Sequence, residues 1–412
     1  MGNQQKAFEY INPEDELFNH LMIVANFQFG YKISNEQIDF LETDSKHNLA
    51  IINNFGIVEK NISIQDLQSL YEEAIKSGKT NAEKLFSTKN YVNLLMDNGL
   101  HNDAEKLMRS MMSLAKNKDE KNALNVLLAN CLMAQINIPY NKETLSEIET
   151  LQTSAIAYFQ ENELKLNAGL VLINAAELAN IQEDFQKANN LINKALLFFK
   201  DENIPQFMGE ASYQKAIILY KWSKNGSPQY YKPSINTFQN ALKVFKENDF
   251  PQKFADIHHN LALIYSEIQV SEQEKPIWTA FCASSFKNAL KFYTKEEHPY
   301  QFAMISHNYA TALMGFPEAK LHSNLDKAFG FFEDALAIRN KENYPFERAL
   351  TLLNQLELYW LIHNENYEDE IKTFEAMNAK ANEIKELVKD KDLIEKANTH
   401  IEELHKIKKT IF

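Results

Sequence analysis

An alanine followed ten residues later by a proline recurs down this chain. The pairs are Ala195/Pro205, Ala241/Pro251, Ala289/Pro299 and Ala335/Pro345, and Ala155/Lys165 is a weaker copy with lysine in the proline position. Successive alanines stand 40, 46, 48 and 46 residues apart. A repeat of this length is one supersecondary unit that cannot bury its apolar face alone, so copies must stack. The proline blocks continuation of one helix and is suited to the first turn of the next. The expected fold is therefore all-α: a solenoid of stacked antiparallel helix pairs with a smaller helical N-terminal unit. The class of function that such a fold serves is binding.

Composition agrees. The 412 residues include only ten glycines and ten prolines, too few for the many turns of a β-rich fold. The formal charge of −13 argues against nucleic acid or an anionic membrane as a direct partner. A local basic group, Lys406, Lys408 and Lys409, has a plain reading as cations near a helix end. Cys131 and Cys282 both lie in apolar helical stretches and are expected to be buried thiols. Residues 1–16 lack a signal-peptide core, and no apolar run is long enough to span a bilayer. The expected location is cytosolic.

The pattern divides the chain into five expected segments: a frayed stretch 1–12, an N-terminal helical unit 13–78, irregular helical hairpins 79–143, long repeats 144–366 and capping helices 367–412. Asn12-Pro13 reads as a helix start, and so does Ser63-x-x-Asp66, whose helix Gly78 stops. Asn98-Gly99 separates two helices, and Pro139 ends another. Near the C-terminus, Leu387, Ile394, Ala397, Ile401 and Leu404 form one apolar stripe on a charged helix.

Inside the long units the same residue types fall at fixed distances. Phe238, Phe286 and Phe332 stand three before the alanine; Gly169, Gly209, Ala255, Ala303 and Ala349 stand four after the proline position. Nine after it comes an amide: Asn174, Gln214, Asn260, Asn308 and Asn354. Asn260-Leu261-Ala262-Leu263-Ile264-Tyr265, with Phe238-x-x-Ala241-Leu242 and Pro251, resembles the first helix, second helix and closing proline of the tetratricopeptide-repeat family. The usual unit of that family has 34 residues. Here the best copies run to 46 and 48, so this is a long-unit variant.

The resemblance implies that the amide position faces a concave groove, where a side chain with both donor and acceptor suits an extended peptide. The candidate peptide-binding residues are Tyr213, Gln214, His259, Asn260, His307, Asn308 and Asn354. The alternative role for the amides is to bond a neighbouring repeat and hold the stack together, since buried polar groups must be satisfied either way. His259 and His307 occupy the same repeat position, but no further ligands for a metal accompany them. Other positions expected on the groove are Asp256, Met304, Glu177 and Glu357, which favour basic or apolar peptides over an acidic tail. No catalytic motif and no cofactor-binding motif is present. Two functions follow: a non-catalytic scaffold that takes an extended segment of a protein partner, or a regulator in which a short peptide gates residues 13–78. The second resembles in outline the peptide-sensing regulators of bacteria. Residues 13–78 carry no basic helix-turn-helix, so direct DNA binding is not expected.

Overall fold

The computed structural model describes residues 23, 33–44, 46–54, 62–317, 324–364 and 366–411. Apart from Ile23, the expected frayed stretch 1–12 and the helix expected after Asn12-Pro13 lie outside the described residues. Among the described residues there are eighteen α-helices and no strand. Packing divides the chain into two units, Met1–Asn203 and Ile204–Phe412.

The first unit contains α1 (Asn35–Asp44), α2 (Lys46–Asn54), α3 (Ile64–Ser77), α4 (Asn81–Asp97), α5 (His101–Met111), α6 (Lys118–Met133), α7 (Lys142–Glu161), α8 (Lys165–Ile181) and α9 (Phe185–Glu202). Short polar side chains open most of them. Ser63 accepts from the Asp66 amide, Thr80 from Glu83, Asn117 from Glu120 and Asn141 from Thr144, each satisfying a donor the helix leaves unpaired. Three hairpin turns share one backbone geometry. Gly99, Glu163 and Glu183 sit at φ of 71°, 58° and 60°, in the left-handed region. In each turn the next amide reaches back five residues, as in Leu100 N to Leu95 O, Leu164 N to Phe159 O and Asp184 N to Ala179 O. This closes the helix end and turns the chain at once. The core includes Tyr71 stacked on Tyr91, with Leu95, Met108, Leu128 and Ile148 around them.

The second unit contains α10 (Pro205–Lys224), α11 (Tyr231–Val244), α12 (Pro251–Glu267), α13 (Lys275–Phe292), α14 (Pro299–Met314), α15 (Asn324–Ile338), α16 (Pro345–Leu361), α17 (Tyr367–Leu387) and α18 (Lys391–Ile411). Each repeat proline is the first residue of its helix. The links before three of these prolines are copies of one another. Phe250, His298 and Tyr344 have φ of −140°, −135° and −134°, and their amides donate to Lys246 O, Thr294 O and Asn340 O. Even-numbered helices from α10 to α16 are thus the first helices of successive repeats, and each packs against the odd-numbered helix that follows it.

The repeated small residues mark close helix contacts. Ala155, Ala195, Ala241, Ala289 and Ala335 are all fully buried. Four residues after each alanine stands Phe159, Phe199, Phe245, Tyr293 or Arg339, also buried. In α9, Phe199 lies over Gly169 of α8 so tightly that a Cβ there would sit 2.6 Å from its Cε1. A Cβ on Gly209 would likewise sit 3.0 Å from Phe245 and Val244. The aromatic thus fills the space that the missing side chain leaves. The C-terminal stripe behaves as the sequence implies: Ala397 and Leu404 of α18 are buried against a cluster that includes Leu356, Met377 and Ile384.

Candidate functional site

The candidate residues lie on the first helices of the second unit's repeats. Nine residues after each proline are Gln214, Asn260, Asn308 and Asn354, and eight after are Tyr213, His259, His307 and Leu353. On a helix these neighbouring positions are turned about 100° apart. One of them therefore points toward the preceding repeat when the other points toward the following one. The hydrogen bonds follow this rule. Asn308 donates its Nδ2 to His259 Nε2 at 3.0 Å. Asn354 donates its Nδ2 to Thr311 Oγ1 at 3.0 Å and meets His307 Nε2 at 3.4 Å. Two consecutive amides, Asn308 and Asn354, reach back by one repeat to the eighth-position side chain. Asn260 donates its Nδ2 within its own helix, to Asp256 O at 2.8 Å. Gln214 likewise donates within its own helix, to Glu210 Oε1 at 3.2 Å. In the first unit, Asn174 donates to Asn130 Oδ1 at 2.8 Å.

A neutral imidazole that accepts an amide N–H at Nε2 carries its own proton on Nδ1. Burial holds both rings neutral. His259 is 9% exposed, and loss of hydration pushes its pKa down to about 4. His307 is pushed to about 4 by burial first and then by the Arg339 cation. The amides themselves are only half-buried. His259 is buried deeper than the amides, while His307 is half-buried as they are.

Charged groups surround the first two positions. Lys253 pairs with Glu210 at 2.9 Å and lies 4.4 Å from the Tyr213 ring centroid, whose edge meets Phe238. Asp256 is hydrogen-bonded by the Tyr293 hydroxyl, and burial raises its pKa above the usual carboxylate range. The Tyr213 hydroxyl is also pushed up, by burial first and then by Asp256 and Glu210. Of the other expected groove positions, Met304 is half-buried, and Glu357 is exposed and accepts from His400 Nε2 at 3.2 Å.

One buried cation falls outside the amide pattern. Arg339 stands where the other copies have an aromatic, and is 5% exposed. Its Nη1 donates to Thr351 Oγ1 at 2.7 Å and Glu347 O at 3.3 Å. Arg348 caps the same helix end, donating to Leu336 O and Arg339 O, while Glu383 accepts from its Nε. The signal was in the chain: the four-residue step from each alanine reads Phe, Phe, Phe, Tyr, Arg. Among the described residues no three His, Cys, Asp or Glu side chains gather as a metal site would require, and no helix is long and apolar enough to cross a membrane. Cys131 and Cys282 are buried, and burial pushes the Cys282 thiol up to about 12.

No protein-family model matches this chain, and no curated protein matches it. Solved structures do share its fold. A Signal Transduction ATPase with Numerous Domains protein with a tetratricopeptide repeat sensor, from Pyrococcus horikoshii, superposes with a TM-score of 0.59 at 14% identity, over 88% of this chain and 54% of that one. This chain thus spans about half the length of that protein. A Rap protein complexed with competence and sporulation factor superposes with a TM-score of 0.53 at 12% identity, over 100% of this chain and 98% of that one. Identities this low speak for the fold alone. The fold is a tetratricopeptide-like helical-repeat solenoid, as the long-unit resemblance implies.

Proposed function

We propose that this chain is a non-catalytic binding scaffold that takes an extended segment of a protein partner along the first-helix face of its second unit. The observation that carries this reading is the row of equivalent amides, one per repeat, two of them, Asn308 and Asn354, held in one direction by the repeat before. An amide has two N–H donors and an oxygen with two lone pairs, so one inter-repeat bond leaves capacity for a ligand. Groups whose rotamers are already fixed lose little freedom when a ligand arrives. In this reading Gln214, Asn260, Asn308 and Asn354 meet the peptide backbone. Tyr213, His259 and His307 act from behind, as positioning residues. Glu210 and Asp256 favour basic side chains in the bound segment.

An affinity selection from a random peptide library, counter-screened against an Asn260→Ala/Asn308→Ala variant, tests this. The expected result is enrichment of basic or apolar peptides that the variant holds about tenfold or more weaker, from two lost hydrogen bonds. Equal enrichment by both proteins overturns it.

A second reading has one observation of its own. The Rap protein that superposes over the full length of this chain is complexed with competence and sporulation factor. On that analogy this chain is a regulator whose ligand in the repeat face controls residues 13–78. A change in small-angle scattering on saturation with a selected peptide favours this reading; an unchanged profile favours the plain scaffold.

A further inference from the structure

The first unit contains a cleft that the amide row does not explain. It has a volume of about 510 Å³ and lies where α3 and α5 flank α4. Ligand clefts run from roughly 300 to 1,000 Å³, so the size suits several side chains rather than an ion. One helical face supplies each wall. Gln68, Glu72, Ile75 and Lys76 come from α3, and Asp103, Leu107 and Met111 from α5. Each wall extends over about two helical turns, or about 12 Å. Tyr91 and Leu95 of α4, both buried, make the floor.

The chemistry of this trough is specific. Its aliphatic surface comes from both walls and the floor. One carboxylate projects from each wall: Glu72 on α3 and Asp103 on α5. The Tyr91 hydroxyl donates to Glu72 Oε1 at 3.2 Å. Burial first, then the charges of Glu72 and Asp103, push that hydroxyl up to about 12. Asp103 also meets Lys106 at 3.3 Å, a surface pair in which the lysine side chain is 79% exposed, and such a pair holds its acid only weakly.

We infer that this cleft is a docking site for a basic amphipathic helix of a protein partner, with an arginine or lysine head between Glu72 and Asp103 and its aliphatic neighbours on Ile75, Leu95, Leu107 and Met111. Charge complementarity selects that occupant: with Lys76 on the α3 wall beside Glu72 and Asp103 the trough keeps an acidic balance and an acid on each wall, which disfavours an anionic segment and favours basic side chains opposite the two carboxylates. Helix-in-groove recognition uses this spacing, with anchors at i, i+3, i+4 and i+7. The site is separate from the amide row and stands or falls independently of it.

The test is fluorescence anisotropy with a labelled probe peptide carrying leucines at i, i+3, i+4 and i+7 and arginines between them. The full chain should bind it saturably at one site. The exposed pair Glu72→Gln/Asp103→Asn should weaken it by about tenfold or more, two charge-assisted contacts being lost, with an unchanged melting curve. Asn260→Ala/Asn308→Ala should bind the probe as the native chain does. Replacing the arginines of the probe by glutamates should abolish binding without touching the protein. Equal binding by the Glu72/Asp103 variant, or equal binding of the glutamate probe, overturns the inference. So does displacement by free arginine at the probe's own concentration, because the acids would then be acting without the apolar trough.

Discussion

Asn308 donates its Nδ2 to His259 Nε2 across 3.0 Å, from one repeat to the repeat before it. The pair links two first helices, α14 and α12, that otherwise meet through few side chains. A neutral side-chain hydrogen bond of this kind contributes about 0.5–1.5 kcal/mol net. A double-mutant cycle of Asn308→Ala and His259→Ala, read from urea unfolding, should give a coupling of about that size. Additive effects would mean that the two side chains do not support each other.

The buried imidazoles make stability depend on pH. His258, His259 and His307 each have a folded pKa near 4, below the ordinary value of 6.5. Burial is the first cause in all three, Lys291 adds to it at His258, and Arg339 adds to it at His307. The unfolded chain therefore binds more protons between these values. Their contribution is fully present above pH 6.5 and is lost as pH falls toward 4. Inside that window each histidine adds a slope of about 1.4 kcal/mol per pH unit. Unfolding free energies measured between about pH 5 and about pH 7, where carboxylates contribute less, should show the slope. His259→Gln should reduce it by one histidine's share; an unchanged slope would contradict the assignment.

Close helix contacts give a third expectation. Gly169→Ala sets a methyl against the buried ring of Phe199, and Ala241→Leu and Ala289→Leu overfill sites with no exposed surface. Each should cost about 1–3 kcal/mol. Denaturant midpoints equal to those of the native chain would show that these positions are not tightly packed.

Much of the architecture was legible because the signals are local. A proline at the first helical position, a fixed alanine and a three-residue step to phenylalanine act within one hairpin. Ser63 and the Asn98-Gly99 turn are likewise read from adjacent residues. The turns at Glu163 and Glu183 were not legible, since glutamate carries no mark of the left-handed conformation it takes there. The amide positions were visible, but their partners were not. Whether Asn308 meets a ligand or His259 depends on how far one repeat is rotated against the next, and that is set by the whole interface. Arg339 is legible only as the break in the aromatic series four residues after each alanine, and the bonds it makes to Thr351 and Glu347 depend on tertiary packing.

The Glu183 turn supplies its own test. A left-handed backbone costs an L-residue roughly 1–2 kcal/mol, part of which glycine returns as entropy of the unfolded chain. Glu183→Gly should therefore stabilise the protein by about 0.5–1 kcal/mol. A lower melting temperature for this variant would place the cost of the turn elsewhere.

The central claim is that the amides face a partner while the residues behind them set their direction. The most direct measurement is the affinity of a selected peptide for Asn308→Ala and for His259→Phe, with melting temperatures on the same samples. The expected result is a loss of about two- to tenfold for Asn308→Ala, one hydrogen bond's worth, with the fold retained. A smaller loss is expected for His259→Phe, through the amide it no longer holds. Unchanged affinity in both variants, with a large fall in melting temperature, would make the row a tie between repeats and nothing more.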